Sequence, residues 1–360
     1  MTTIERQKPS RSITIPLLLI AAVVVGAALH QLQSTLLPFV VALFLSNIFR
    51  PLVSFLRSKK VPMVVAILLV LLLVGAVLLG VGFIGVSSVK SLIVALPRYE
   101  IKWNHTILPG ILRLVDDAPV EFQQQIRDLQ WKNIIDVSVI LGAVSIGAGT
   151  FVAVLSKFVL ILLFMLFILA GDGMFARKVE SAYHAKSAGT IGTIISEVEK
   201  KIRRYLVTVT TINVVSGVIT AVILSAFGVD LALLWGLLTF LVNFIPTIGS
   251  IIAIVLPIAV AFLQFDTVGT PIVVAAVLIV TQFLLGSVIT PKVMGSSLNL
   301  SPLLVLISLI FWGWVWGPWG MILSVPITST IKILLENIEG MKPISVLMSA
   351  EPGQILKEPL

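Results

Sequence analysis

Asn213, Ser216 and Thr220 lie at spacings of three and four within the apolar stretch Leu206–Phe227, on one helical face. A polar stripe on a lipid-embedded helix turns toward other helices or water, so it either joins helices by hydrogen bonds or touches a passing solute. More neutral hydrogen-bonding groups follow in apolar surroundings: Asn243, Thr247 and Ser250, then Gln282, Ser287 and Thr290. The chemistry these groups offer is recognition. Amides and hydroxyls can hold an uncharged, hydroxyl-rich solute, and freed backbone carbonyls can hold a cation.

Other chemistries find little support. Cysteine is absent, which removes disulfides, thiolate metal sites and a cysteine nucleophile. His30, His105 and His184 are scattered, so no metal cluster is visible. No Ser/His/Asp set or phosphate loop stands at meaningful spacing, so neither an enzyme nor a bound cofactor is expected. Two ionisable groups remain as possible ion-linked residues. Asp172 follows the span 137–171 at its watery end. Lys157 lies inside that span, either as a cation in a conduction path or, the preferred reading, as a lysine snorkelling to the outer interface.

The elements that must position the polar groups are two broken apolar hairpins around one continuous helix. The first hairpin covers Leu231–Leu263 and breaks at N-F-I-P-T-I-G, Asn243–Gly249; the second covers Ser301–Ile331 and breaks at G-W-V-W-G-P-W-G, Gly313–Gly320. Pro271–Pro291 lies between them. Most arms are short for a span of about 20 residues. Backbone freed by Pro or Gly survives at membrane depth only in protein or beside a watery cavity, and paired interrupted segments point to a transporter's binding region. Asn213, Asn243, Pro246, Thr247, Gly249, Gln282, Pro291, Gly317, Pro318 and Gly320 are therefore the expected substrate pathway or gate. The four Trp at 312, 314, 316 and 319 form either an interfacial anchoring belt or a stacking surface.

Composition makes the membrane the setting. Of 360 residues 58% are hydrophobic and only 12% charged, with mean hydropathy +1.11. Soluble domains carry about 25% charged residues. The net charge of +8 sits in short loops, a positive-inside pattern that explains it without nucleic acid. The expected fold is all-α and polytopic. It comprises a cytoplasmic tail 1–12, three transmembrane helices in 13–89, a charge-balanced helical extracytoplasmic insert 90–136, and a fourth span 137–171. A cytoplasmic amphipathic helix 172–205, a transmembrane core 206–335 with the two hairpins, and a disordered cytoplasmic tail complete the chain. Loop charges place both termini in the cytoplasm. They also bring the first hairpin in from outside and the second from the cytoplasm, so that the tips can meet at depth.

Several motifs in order resemble the autoinducer-2 exporter family. They are Leu37-Pro38-Phe39, Arg50-Pro51-Leu52-Val53, F-I-L-A-G-D-G at Phe167–Gly173, N-F-I-P-T-I-G-S at Asn243–Ser250, T-P-K-V-M-G-S-S-L-N-L-S-P-L at Thr290–Leu303, F-W-G-W-V-W-G-P-W-G at Phe311–Gly320, and S-V-P-I-T at Ser324–Thr328. The resemblance covers about residues 12–340. It implies a bacterial inner-membrane transporter, homo-oligomeric, whose substrate is a small solute such as autoinducer-2 or, in an alternative reading, sodium exchanged for protons. Some members carry Asn or Glu just before the Pro corresponding to Pro291, where this chain has Ile289-Thr290, so no carboxylate role carries over. From Leu231 to Ile331 the ionisable side chains are Asp266 and Lys292, both at loops, which favours the uncharged solute. A non-transporting membrane scaffold or sensor, with the insert as its ligand-binding part, is the reading from a different class.

Overall fold

The computed structural model describes residues 23–127, 157–171, 185–294, 299–338 and 340–350. Among them there is no β-strand, only an isolated bridge between Leu300 and Ser349. A helix over residues 23–31 turns at Leu32 into α1 (Gln33–Ser58), which continues through both Pro38 and Pro51. Helix α2 (Met63–Lys102) passes through a π-helical turn, Trp103–Ile107, into α3 (Leu108–Leu114); α4 (Val120–Arg127) follows. Next come α5 (Lys157–Ala170) and α6 (Ala185–Ala226). The first hairpin is α7 (Ala232–Val242) and α8 (Ile248–Gln264); α9 (Gly269–Phe283) runs through a second π turn, Leu284–Ile289, into α10 (Thr290–Met294). The second hairpin is α11 (Pro302–Glu336), and α12 (Lys342–Leu347) ends the described chain. Among the described residues, five helices are long and apolar enough to cross a membrane. The molecule is a polytopic α-helical membrane protein.

The limits expected at 89/90 and 205/206 fall inside uninterrupted helices, and α1 continues through Arg50-Pro51 to Ser58 before the chain turns at Lys59 and Lys60. Charge marks where a helix leaves lipid, and nothing about leaving lipid obliges it to stop. The C-terminal segment is also not a disordered tail up to residue 350. Ser301 N–H bonds to the Met348 carbonyl at 3.0 Å and Ala350 N–H to that of Asn299 at 3.3 Å, so this segment closes the base of the second hairpin. Residues 1–12, the end of the expected insert with the first part of the following span (128–156), and Asp172 lie outside the described residues.

Helix α6 is the central post: α1, α7, α9, α10 and α11 all pack on it. Gly217 and Gly236 face each other where α6 crosses α7. A methyl on Gly217 would sit 2.6 Å from the Gly236 carbonyl oxygen, and one on Gly236 2.6 Å from the Ala221 Cβ. Small residues here let the two backbones approach without lipid between them. Charge pairs bracket the core. Arg50 meets Glu199 at 2.9 Å at one end. At the other end the Tyr99 hydroxyl donates to Asp230 at 2.8 Å, and Lys102 lies 3.4 Å from Asp266. Along α6 the distance between these ends, Glu199 to Ala226, is about 40 Å, the thickness of a bilayer with its headgroups.

The two hairpins have their bases at opposite ends of the core. The first begins and finishes at the Asp230 end, because the Gln264 side chain accepts from Asp230 N–H and donates to the Gly228 carbonyl, both at 2.7 Å. The second has its base at the Arg50 end: Leu300 and Ile333 join an apolar cluster with Val41, Phe44, Val198 and Ile202. Lys332, only 3% exposed, ties that base together through the Asn299 carbonyl at 3.0 Å and Glu336 at 3.1 Å.

Candidate functional site

The first hairpin's break is tight. Asn243–Thr247 leaves the helix, with Ile245 N–H on the Val242 carbonyl at 2.8 Å and Ile248 N–H on the Pro246 carbonyl at 2.7 Å. The second of these closes a three-residue turn around Thr247, whose φ of 66° and ψ of −56° belong to the rare, strained hand of the γ-turn. A β-branched residue at positive φ costs roughly 1–3 kcal/mol and persists only where the surroundings enforce it. Gly249 is part of that enforcement. It is buried against the end of α7, and a methyl there would stand 2.5 Å from the Val242 carbonyl carbon and overlap its oxygen.

This tip carries Asn243 into a buried polar group at mid-core. Asn243 Nδ2 donates to Ser216 Oγ at 3.0 Å, and Gln282 Nε2 donates to the same oxygen at 3.2 Å. Two donors occupy both acceptor positions of that hydroxyl. Ser216 precedes Ala226 by ten residues, so the group lies about 15 Å from the Asp230 end. Asn213 and Thr220 lie one turn to either side of Ser216 on α6, and Thr239 lies one turn before Asn243 on α7; they are 5%, 0% and 0% exposed. Four of its atoms are buried without a hydrogen-bond partner: Asn213 Nδ2, Thr220 Oγ1, Thr239 Oγ1 and Asn243 Oδ1. Burying such an atom unpaired costs about 1–3 kcal/mol. One donor, one acceptor and two hydroxyls that can serve as either suit a ligand that itself both donates and accepts.

Of the expected site residues, the structure brings Asn213, Asn243 and Gln282 together and places Pro246, Thr247 and Gly249 in the turn that presents them. Thr239 belongs to the group and was not expected there. It stands four residues before Asn243 on the same face of α7, which is its one sequence signal. Pro291 acts one step away. Lacking an N–H and clashing with the carbonyl four residues back, it accounts for the π turn Leu284–Ile289 that follows Gln282. Pro109 stands in the same relation to the other π turn. Lys157 is exposed at the start of α5, which packs on α1 and α2 away from the polar group. No group of three or more His, Cys, Asp or Glu able to hold a metal occurs among the described residues.

Gly317, Pro318 and Gly320 belong to a second centre. The backbone leaves the helix only at Trp316 and Gly317, a narrower break than Gly313–Gly320, and Gly317 adopts φ 62°, ψ −144°. Gly320 lets the returning arm pack on the Trp312 backbone, and Trp312 Nε1 donates to Thr328 Oγ1 at 3.2 Å across the arms. The tip docks on the turn before α1: Trp316 Nε1 donates to the Leu29 carbonyl at 3.1 Å, and His30 Nδ1 lies 2.7 Å from the Val315 carbonyl. The Trp set is thereby divided. Trp312 and Trp316 are core, while Trp314 and Trp319 are about half exposed. The two tips are thus held by different elements, Ser216 for one and residues 29–30 for the other.

Comparison with known proteins agrees with this architecture. The AI-2E family transporter profile matches residues 14–340. The chain is 31% identical over 331 residues to the AI-2 transport protein TqsA of Escherichia coli (strain K12), covering 91% of this chain and 93% of that one. It is 34% identical over 326 residues to a putative transport protein of Haemophilus influenzae, covering 88% and 90%. A putative transport protein of Bacillus subtilis, YrrI, is 25% identical over 322 residues, 86% of this chain and 88% of the relative. A profile that takes in nearly the whole chain, on a fold of membrane-crossing helices, identifies it as a member of the AI-2E transporter family.

Proposed function

We propose that this chain exports a small, uncharged, hydroxyl-rich solute such as autoinducer-2 across the bacterial cytoplasmic membrane. The solute passes the group formed by Asn213, Ser216, Thr220, Thr239, Asn243 and Gln282. The observation that carries this reading is the set of four buried polar atoms without partners around Ser216. A polyol can pair with both donors and acceptors there, and none of the six residues is ionisable. That last point separates the reading from sodium/proton antiport, which needs a group able to alternate between proton and cation.

In this reading both hairpins are re-entrant. Helix α7 has 11 residues, about 16 Å, and falls short of the hydrocarbon by roughly half. The polar group lies about 25 Å along α6 from Glu199, and the second hairpin's break lies about 24 Å along its returning arm from Ile333. Two breaks at similar depth, entered from opposite ends, suit alternating access. In this reading the Arg50 end and both termini are cytoplasmic, which the positive charge of Arg57, Lys59, Lys60, Lys200, Lys201, Arg203 and Arg204 supports. Subunits assemble as a homo-oligomer through the apolar faces that the single chain leaves exposed.

The test is flux of autoinducer-2 and, separately, of sodium in proteoliposomes, with and without a pH gradient. The proposal expects autoinducer-2 flux that falls in Asn243→Ala. Sodium flux coupled to the pH gradient, with no autoinducer-2 flux, would overturn it in favour of antiport. Absence of both would favour the scaffold reading.

A further inference from the structure

At the Asp230 end, a groove of about 650 Å³ opens between α2 and the start of α7. It holds the cations of Lys90 and Arg98 against the single carboxylate of Asp230, a net charge of +1. Asp230 is already occupied by the Tyr99 hydroxyl through Oδ2. Three serines line the α2 side. Ser87 and Ser91 spend their hydroxyl protons on the Ile84 and Ser87 carbonyls. Ser88 is 8% exposed, opens on the groove, and is the serine whose hydroxyl is not spent on its own helix. On the other side lie Ala232 and Leu233, the first turn of an 11-residue helix whose N-cap, Leu231, provides no side-chain cap. Their amides face outward with the positive end of the helix dipole.

We propose that this groove binds the phosphate of a phospholipid headgroup. Two cations, a buried hydroxyl and uncapped helix amides on one concave surface are the donors a phosphate needs. Its height fits: the groove lies about 40 Å along α6 from the Arg50–Glu199 pair, at the opposite headgroup level. Its rim also fits a lipid better than a free anion, because Val94 and Leu233, 72% and 64% exposed, continue the groove into the apolar face where acyl chains lie. The lipid would brace the α6–α7 turn from which the first hairpin hangs. The site is independent of the identity of the transported solute.

Native mass spectrometry of the detergent-purified full chain with added phosphatidylglycerol tests this. Wild type should retain one lipid per protomer. The Lys90→Gln/Arg98→Gln variant should bind about tenfold more weakly, and millimolar inorganic phosphate should not displace the lipid. Ser88→Ala, which changes one buried oxygen and no charge, should weaken binding severalfold and decides the matter if the double variant is not monodisperse. Undiminished binding in Ser88→Ala and the double variant would overturn the proposal. Displacement by inorganic phosphate alone would show a free-anion site and overturn the lipid assignment.

Discussion

Gly249→Ala is the sharpest probe of the polar group, because it acts through distance alone. The added methyl would stand 2.5 Å from the Val242 carbonyl carbon and 3.0 Å from the Asn243 Cα. Carbon atoms pack at about 3.5–4.0 Å, so relief requires the end of α7 to move by about 1 Å. Asn243 is the next residue, and its 3.0 Å bond to Ser216 would lengthen to about 4 Å, outside hydrogen-bonding range. Overpacking of this kind costs about 1–3 kcal/mol, which a polytopic helical protein survives. Losing the bond and the site geometry it sets should lower apparent solute affinity about tenfold, equivalent to roughly 1.4 kcal/mol. Autoinducer-2 flux in proteoliposomes, normalised to inserted protein, measures this. Gly80→Ala is the control, since a methyl on Gly80 meets nothing within 4 Å. Wild-type flux and affinity in Gly249→Ala would refute the reasoning that the tip positions Asn243.

Four other outcomes are expected. Gln282→Leu and Asn243→Ala should each weaken solute affinity and be less than additive together, because both donate to Ser216 Oγ; a double-mutant cycle on flux reads the coupling. Gly317→Ala places a side chain at φ 62°, ψ −144° and should cost about 1–3 kcal/mol, seen as a lower melting temperature in detergent. Single cysteines at Lys59 and Asp117, in a chain without native cysteine, should react with impermeant reagents from opposite sides of the membrane, whereas Lys157→Gln should leave flux unchanged.

The polar group was legible in part. The spacing of Asn213, Ser216 and Thr220 marks a face, and Asn243 and Gln282 stand out because amides are rare in apolar runs. That both amides converge on Ser216, 27 and 66 residues away, is a property of packing. Thr239 escaped because a lone threonine in LLTFLV reads as one that bonds its own helix. The docking of the second tip on Leu29 and His30 joins residues more than 280 apart and leaves no local trace. The second break was read too wide because Gly313 and Gly320 look like breakers. They serve instead to seat the Met321 side chain and the Trp312 backbone, while Trp316 and Gly317 turn the chain. The charge that begins at Lys90 and ends at Arg204 marks a change of surroundings within continuous helices, and that continuity leaves no trace in composition.

The unequal arms of the first hairpin bear on how the protein is made. Helix α7, at 11 residues, is too short to be left across the bilayer as it emerges from the ribosome, while α8, at 17, approaches that length. In the re-entrant reading the earlier arm waits for the later one and the pair enters together, with the Gln264 clasp to Gly228 and Asp230 fixing their common base. The polar backbone of the turn Asn243–Thr247 cannot face hydrocarbon during that step. It needs α6 already in place, with Gly217 and Ser216 offering the backbone approach and the hydroxyl. Biogenesis thus has a built-in sequence of events, in which α6 is the receptor and the hairpin is its late guest.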